Sequence, residues 1–158
     1  MSGERRTDTG FAMRSDLRVA VVAACWHAEV QEAMLASSIA TCEELGIEPT
    51  VVWVPGAFEL PVVAQRLAAT HDAVVALGTI VRGGTPHFEY VADAVTSGLT
   101  RVSLDTGVPV GFGVLTCDDA AQARDRSGLP GSSEDKGREA AEAALAAATI
   151  LANLGLGE

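Results

Sequence analysis

The sequence predicts an α/β fold, a four-stranded parallel sheet covered by helices on both faces. Three observations carry this. Val-rich apolar runs of strand length lie at 17–24, 50–54, 72–81 and 108–116. Segments long enough for helices separate them. Strands alternating with helices form right-handed βαβ units, which require parallel pairing. At 158 residues the chain makes one domain, expected over 17–158. Residues 1–16 are polar, mixed in charge and without an apolar period, so they are expected to be a flexible tail.

LRVAVVAA (17–24) suits a strand buried on both faces. His27 to Gly46 reads as a helix closed by its glycine. TVVWV (50–54) is the second strand, stopped by Pro55-Gly56; its Trp53 reads as packing. Glu59 to Thr70 is the second helix, with Pro61 in the first turn, where a missing N–H costs nothing. DAVVALGTIV (72–81) is a third buried strand, and Arg82 to Pro86 form a loop. Phe88, Val91, Ala92, Val95, Leu99 and Val102 then follow the spacing of one buried helix face. VPVGFGVLT (108–116) is the fourth strand, and a short helix runs from Asp118 to Arg126. Gly128-Leu129-Pro130-Gly131 breaks it. Ser133-Glu134-Asp135 opens the last, alanine-rich helix.

The net charge of -10 argues against a nucleic-acid partner, since a phosphate track needs a basic stripe. It leaves room for a small anionic substrate held by a few cations and backbone amides. Cys25, Cys42 and Cys117 lack metal-ligand spacing and a disulfide framework. They read as free thiols of a cytoplasmic protein, with Cys25 a small buried residue. No stretch approaches the roughly 20 apolar residues of a spanning helix, so no membrane role is expected.

In open parallel sheets, ligands bind beyond the carboxyl ends of the strands. The chemically distinctive residues collect there: Cys25-Trp26-His27, Pro55 to Glu59, Arg82 to His87, and Thr116-Cys117-Asp118. Gly83-Gly84-Thr85 before a helix start can bring backbone N–H groups to a phosphate, or can be a plain strand-to-helix turn. His87, in the same turn, can transfer protons near neutral pH or simply make a local hydrogen bond. Trp26 can stack on a flat ring or plug the core. Glu59 suits a helix start and can accept from a polyol. Arg126 and Lys136 are either solvated charge or anion recognition. His27 also follows a strand end but has no comparable surroundings, and His71 reads as a loop residue. Neither an ATP-binding nor a dinucleotide-binding glycine motif is present. A phospho-receiver domain needs acidic residues where this chain has Ala24-Cys25-Trp26-His27.

Taken together, Trp26-His27, Pro55-Gly56-Ala57-Phe58-Glu59-Leu60-Pro61, Leu77-Gly78, Arg82 to Val91 (RGGTPHFEYV), Gly111 to Thr116 and Glu134-Asp135-Lys136-Gly137 resemble the 6,7-dimethyl-8-ribityllumazine synthase family. The resemblance spans about 17–155 in order. It implies a flavodoxin-like, three-layer α/β/α sandwich. It also implies the penultimate step of riboflavin biosynthesis. 5-Amino-6-(D-ribitylamino)uracil condenses with 3,4-dihydroxy-2-butanone 4-phosphate to 6,7-dimethyl-8-ribityllumazine, phosphate and water, with no metal or organic cofactor.

By position, the resemblance places Trp26 on the pyrimidinedione ring. Gly56, Ala57, Phe58 and Glu59 fall on the ribityl chain, Ile80 and Val81 on the uracil edge, and Gly83, Gly84 and Thr85 on phosphate. His87 matches the general acid/base. Phe112, Arg126 and Lys136 match residues lent by a neighbouring subunit, with Arg126 on phosphate and Lys136 toward the pyrimidinedione. A homopentamer with sites at subunit interfaces follows, with riboflavin synthase as a possible associate. The stretch from Gly128 to Asp135 is longer than the turn of capsid-forming relatives, which favours a pentamer, alone or paired, over a larger shell. A pure lumazine-binding module would need neither the phosphate loop nor Arg126.

Overall fold

In the computed structural model, which describes residues 4, 6 and 8–155, β1 spans Val19–Ala24, with all of it buried. β2 spans Thr50–Val54, β3 Ala73–Val81 and β4 Val110–Cys117. The strands lie in the order β2-β1-β3-β4, and every pair is parallel. β1 and β3 are therefore central and nearly all apolar. The sheet and its flanking helices make the α/β flavodoxin-like sandwich.

Helix α1 (Ala28–Glu43) and helix α5 (Lys136–Gly155) cover one face. Met34, Leu35, Ala141 and Leu145 pack there with Val21, Val75 and Leu77. Helix α2 (Leu60–Ala68) and helix α3 (His87–Thr106) cover the other. Leu60, Ala64, Val95 and Leu99 meet Val22, Val74, Ala76 and Ile80. Neighbouring residues of one central strand thus feed opposite cores, as the two-residue period of a strand demands.

Element ends differ from expectation where caps decide them. A 3₁₀ turn at Ala57–Glu59 precedes α2, so the helix proper starts at Leu60. The short helix α4 is Ala120–Asp125; Asp119 caps it by accepting from the Gln122 N–H at 2.8 Å. Asp135 alone caps α5, taking the Arg138 N–H at 3.0 Å, while Ser133 bonds back to Asp125 instead.

Two burial expectations are corrected. Cys25 is exposed. β1 ends at Ala24, and Cys25 leaves the sheet while still donating its N–H to the Val54 carbonyl at 2.9 Å. Trp53 is 44% exposed because β2 is an edge strand with an incompletely covered face. Of the expected tail, residues 1–3, 5 and 7 lie outside the described residues. Residues 8–16 carry no helix or strand. Among them, the Arg14 N–H donates to Thr149 Oγ1 at 3.2 Å. Phe11 and Met13 line a shallow cavity of about 480 Å³ with Leu45 and Leu145. Among the described residues, no helix is long and apolar enough to cross a membrane.

Candidate functional site

Three strand ends meet at one cleft of about 550 Å³. β1 delivers Trp26 and His27. Trp26 is 69% exposed, an unusual cost for a large aromatic with nothing to cover it. His27 caps α1 with φ 58° and ψ 59°, a left-handed conformation that is uncommon outside glycine. The chain thereby turns sharply between Trp26 and the helix.

β2 delivers Gly56, Ala57, Phe58 and Glu59 through the 3₁₀ turn. Gly56 is extended, so its backbone angles do not call for glycine. Space does. A Cβ there would lie 3.2 Å from Glu59 Oε2 and 3.6 Å from the Trp26 ring. The carboxylate and the indole therefore close over the same backbone atom, side by side on the cleft wall.

β3 supplies Thr79, Ile80 and Val81, and the loop that follows supplies Gly83, Thr85 and His87; Phe88 and Val91 of α3 complete the lining. The loop leads into the N-terminus of a 20-residue helix, whose first N–H groups have no partner within the helix. These amides and the helix dipole favour an anion. Arg82 anchors the loop. Its N–H donates to the Cys117 carbonyl at 2.9 Å, its Nε to Asp118 Oδ1 at 3.0 Å, and its Nη1 to Glu89. The guanidinium also sits 4.4 Å from the Phe88 ring centroid. Hydrogen bonds from Arg82 hold the Glu89 and Asp118 carboxyls below their ordinary values. Both partners are thus ionised and the loop is pinned from two sides.

Of the candidates named from the sequence, Trp26, Gly56, Ala57, Phe58, Glu59, Ile80, Val81, Gly83, Thr85 and His87 line this cleft together. Gly84 lies within the loop but not in the lining. Phe112, 47% exposed on the edge strand β4, lines a separate depression with Leu104 and Val110. Arg126 and Lys136 do not line the cleft either. Arg126 Nη1 donates to the Gln122 carbonyl at 3.0 Å, and Lys136 Nζ lies 2.9 Å from both Glu134 and Glu139. Those two carboxylates raise the Lys136 ammonium above its usual value. The backbone joins the pair: Lys136 N–H donates to the Arg126 carbonyl at 2.9 Å.

Sequence reasoning set His27 aside and missed Thr79, Phe88 and Val91 as lining residues. His27 carried a usable signal in its place beside Trp26 at a strand end. The other three read only as core periodicity.

The sequence model of the 6,7-dimethyl-8-ribityllumazine synthase family matches residues 16–152. Proteins of that name resemble the chain over most of its length. The one from Pseudarthrobacter chlorophenolicus is 62% identical over 141 residues, covering 89% of this chain and 88% of its own. That of Frankia casuarinae is 62% identical over 142 residues, 89% of each. That of Saccharopolyspora erythraea is 56% identical over 155 residues, 98% of this chain and 94% of its own.

Proposed function

The chain belongs to the 6,7-dimethyl-8-ribityllumazine synthase family, and from that premise we propose how its residues divide the work. The reaction is a transferase condensation in riboflavin biosynthesis. 5-Amino-6-(D-ribitylamino)uracil and 3,4-dihydroxy-2-butanone 4-phosphate give 6,7-dimethyl-8-ribityllumazine, phosphate and water. The amine attacks the ketone and water leaves to form an imine; phosphate is expelled and the resulting enol tautomerises to a carbonyl; the ribityl-bearing nitrogen attacks that carbonyl and a second water leaves as the ring closes.

Trp26 stacks on the pyrimidinedione, and the Glu59 carboxylate accepts from ribityl hydroxyls along Gly56, Ala57 and Phe58. The end of β3 at Ile80 and Val81 pairs with the uracil edge through the backbone groups it leaves free of β4. Gly83, Gly84 and Thr85 receive the phosphate. His87, at the helix start beside them, moves the protons that each step requires. Holding two small reactants in one cleft supplies much of the remaining acceleration. The observation that carries this reading is the convergence of Trp26, Glu59 and His87, from three different strand ends, on one cavity.

Arg126 and Lys136 lie outside that lining, and their positive charge is the part the cleft itself lacks. Subunits in a head-to-tail ring of five bring Phe112, Arg126 and Lys136 of one copy to the cleft of the next, giving five composite sites. Apolar side chains left open at Phe58, Val62, Leu104 and Phe112 support such an assembly. The three free cysteines support a cytoplasmic location. Riboflavin synthase, which consumes the lumazine, is the associate this arrangement would serve.

Complementation tests the division. His87→Ala and Arg126→Ala are each impaired alone. Refolded together, they regain lumazine formation, measured by its absorbance and fluorescence, because mixed rings hold some intact interfaces. Absence of any recovery would count against shared sites.

A further inference from the structure

Gln31 is the one polar side chain of α1 that reaches the sheet from a fully buried position. The reason is legible in the ladder. β3 runs to Val81, but its pairing with β1 ends at Ala23↔Leu77, whereas its pairing with β4 continues to Val81↔Cys117. In a parallel strand, alternate residues turn both backbone groups to the same neighbour. The Arg82 N–H bonds to Cys117 on β4, so Gly78 and Ile80 face β4 as well. Leu77 still meets Ala23 on β1, whereas Thr79 and Val81, turned to the same side, lie beyond the point where β1 has stopped. Unpaired there, their polar groups would carry the full penalty of burial without a partner.

Gln31 fills that gap. With its amide oriented to match donors to acceptors, Oε1 accepts from the Thr79 N–H at 3.1 Å and from Thr79 Oγ1 at 2.6 Å. Its Nε2 donates to the Leu77 carbonyl at 3.2 Å. A side-chain amide presents one donor and one acceptor in a plane, as a peptide group does, so it replaces one peptide of the missing strand. The next groups on the same edge are the Thr79 carbonyl and the Val81 N–H, and Thr79 and Val81 both line the cleft.

We propose that Gln31 is a positioning residue for the heterocycle. It acts as a one-residue surrogate strand that seats β3 so that Thr79 and Val81 present an ordered backbone edge to the pyrimidinedione. This rests on the proposed placement of that ring against β3.

Amide hydrogen exchange on the unaltered protein gives the first test. The Thr79 N–H should exchange as slowly as those of Val75 and Leu77, although no strand pairs with it. The Val81 N–H should be fast alone and slow with the ribitylaminouracil bound. A fast Thr79 amide overturns the inference while leaving the ring placement standing. A slow Thr79 amide with Val81 indifferent to the ligand overturns the ring placement, and the inference with it.

Gln31→Met keeps the volume and removes all three bonds. Its KM for the ribitylaminouracil should rise about tenfold, while kcat and the KM for the butanone phosphate stay within about twofold. Equal losses for both substrates, or no change in a folded variant, overturn the positioning role. If the variant does not fold, the exchange experiment decides.

Discussion

Trp26, Phe58 and His87 stand largely in solvent on three separate strand ends, each held by the backbone that carries it. Arg126 and Lys136 belong instead to a segment closed on itself. Ser127 and Asp135 form an antiparallel bridge, and the Gly128 N–H donates to the Glu134 carbonyl at 3.1 Å. The Glu134 N–H reaches the Asp125 carbonyl at 3.1 Å, and the Ser133 hydroxyl reaches the Asp125 carboxylate at 2.6 Å. Asp135 adds Ser37 on α1 and the cap of α5. The cleft is rigid because a sheet stands under it; the other segment is rigid because it is stitched. The difference teaches how a charged pair can be preorganised away from any cavity of its own chain, ready to be presented elsewhere.

The comparison breaks most sharply at the cleft. His87→Ala should lower kcat about 10²-fold with the fold intact, the lower end of general acid–base contributions. An unchanged kcat across the pH profile would remove His87 from the chemistry. On the stitched segment, Arg126→Ala should leave kcat less affected and raise the KM for the butanone phosphate about tenfold, the worth of one hydrogen bond to a charged group. A larger effect on the ribitylaminouracil than on the phosphate substrate would relocate Arg126 from phosphate to the other ligand.

Gly128→Ala sharpens the contrast at smaller amplitude. Gly128 sits at φ 76°, and a Cβ would come within 2.6 Å of the Asp135 carboxyl carbon. The substitution adds left-handed strain and pushes on the residue that ties the segment to α1 and α5. A loss of about 1–3 kcal/mol is expected, read as a lower urea midpoint at constant slope. The KM for the butanone phosphate should rise a few-fold, and the affinity for the ribitylaminouracil should hold. Comparable loss for both ligands would mean that the two regions are not mechanically separate.

How much of this was open to reading from the chain depends on the range of the interaction. Central strands announce themselves by uninterrupted valine and alanine, and 50–54 matches β2 residue for residue because Pro55 stops it. The cleft was legible because ligands gather where strands end and because its motif residues are locally dense. Long-range choices were not. Strand order decides that β2 is an edge, hence that Trp53 is half open. Arg82 finds Asp118 across 36 positions, and Gln31 finds Thr79 across 48. A glutamine on a helix that also buries Ser38 and Thr41 gives no local sign that a strand has stopped beside it. Arg126 and Lys136, flanking the glycine- and proline-rich break, read equally as solvated charge or anion recognition, and only the family resemblance tied them to a neighbouring subunit's cleft.

The smallest expected effect concerns the anchor of the phosphate loop, where the sheet-built region borrows the tactics of the stitched one. Arg82 holds the Glu89 and Asp118 carboxyls below their ordinary values through hydrogen bonds. A carboxyl depressed in the folded state contributes most above its unfolded pKa and loses that contribution as pH falls through the folded value. The anchor is therefore complete at neutral pH and fails only in acid, below the ordinary carboxylate range. The KM for the butanone phosphate should carry no component from this anchor between pH 5 and 8. Glu89→Gln keeps the side-chain length, removes one charge and leaves Asp118 in place. Because all three groups are largely open to solvent and screened, the rise in that KM should be only about twofold, and it should shrink further in added salt. A tenfold rise, or one insensitive to salt, would show that Glu89 does more than hold Arg82, and the loop would then rank with the 126–136 segment as a charge-built device.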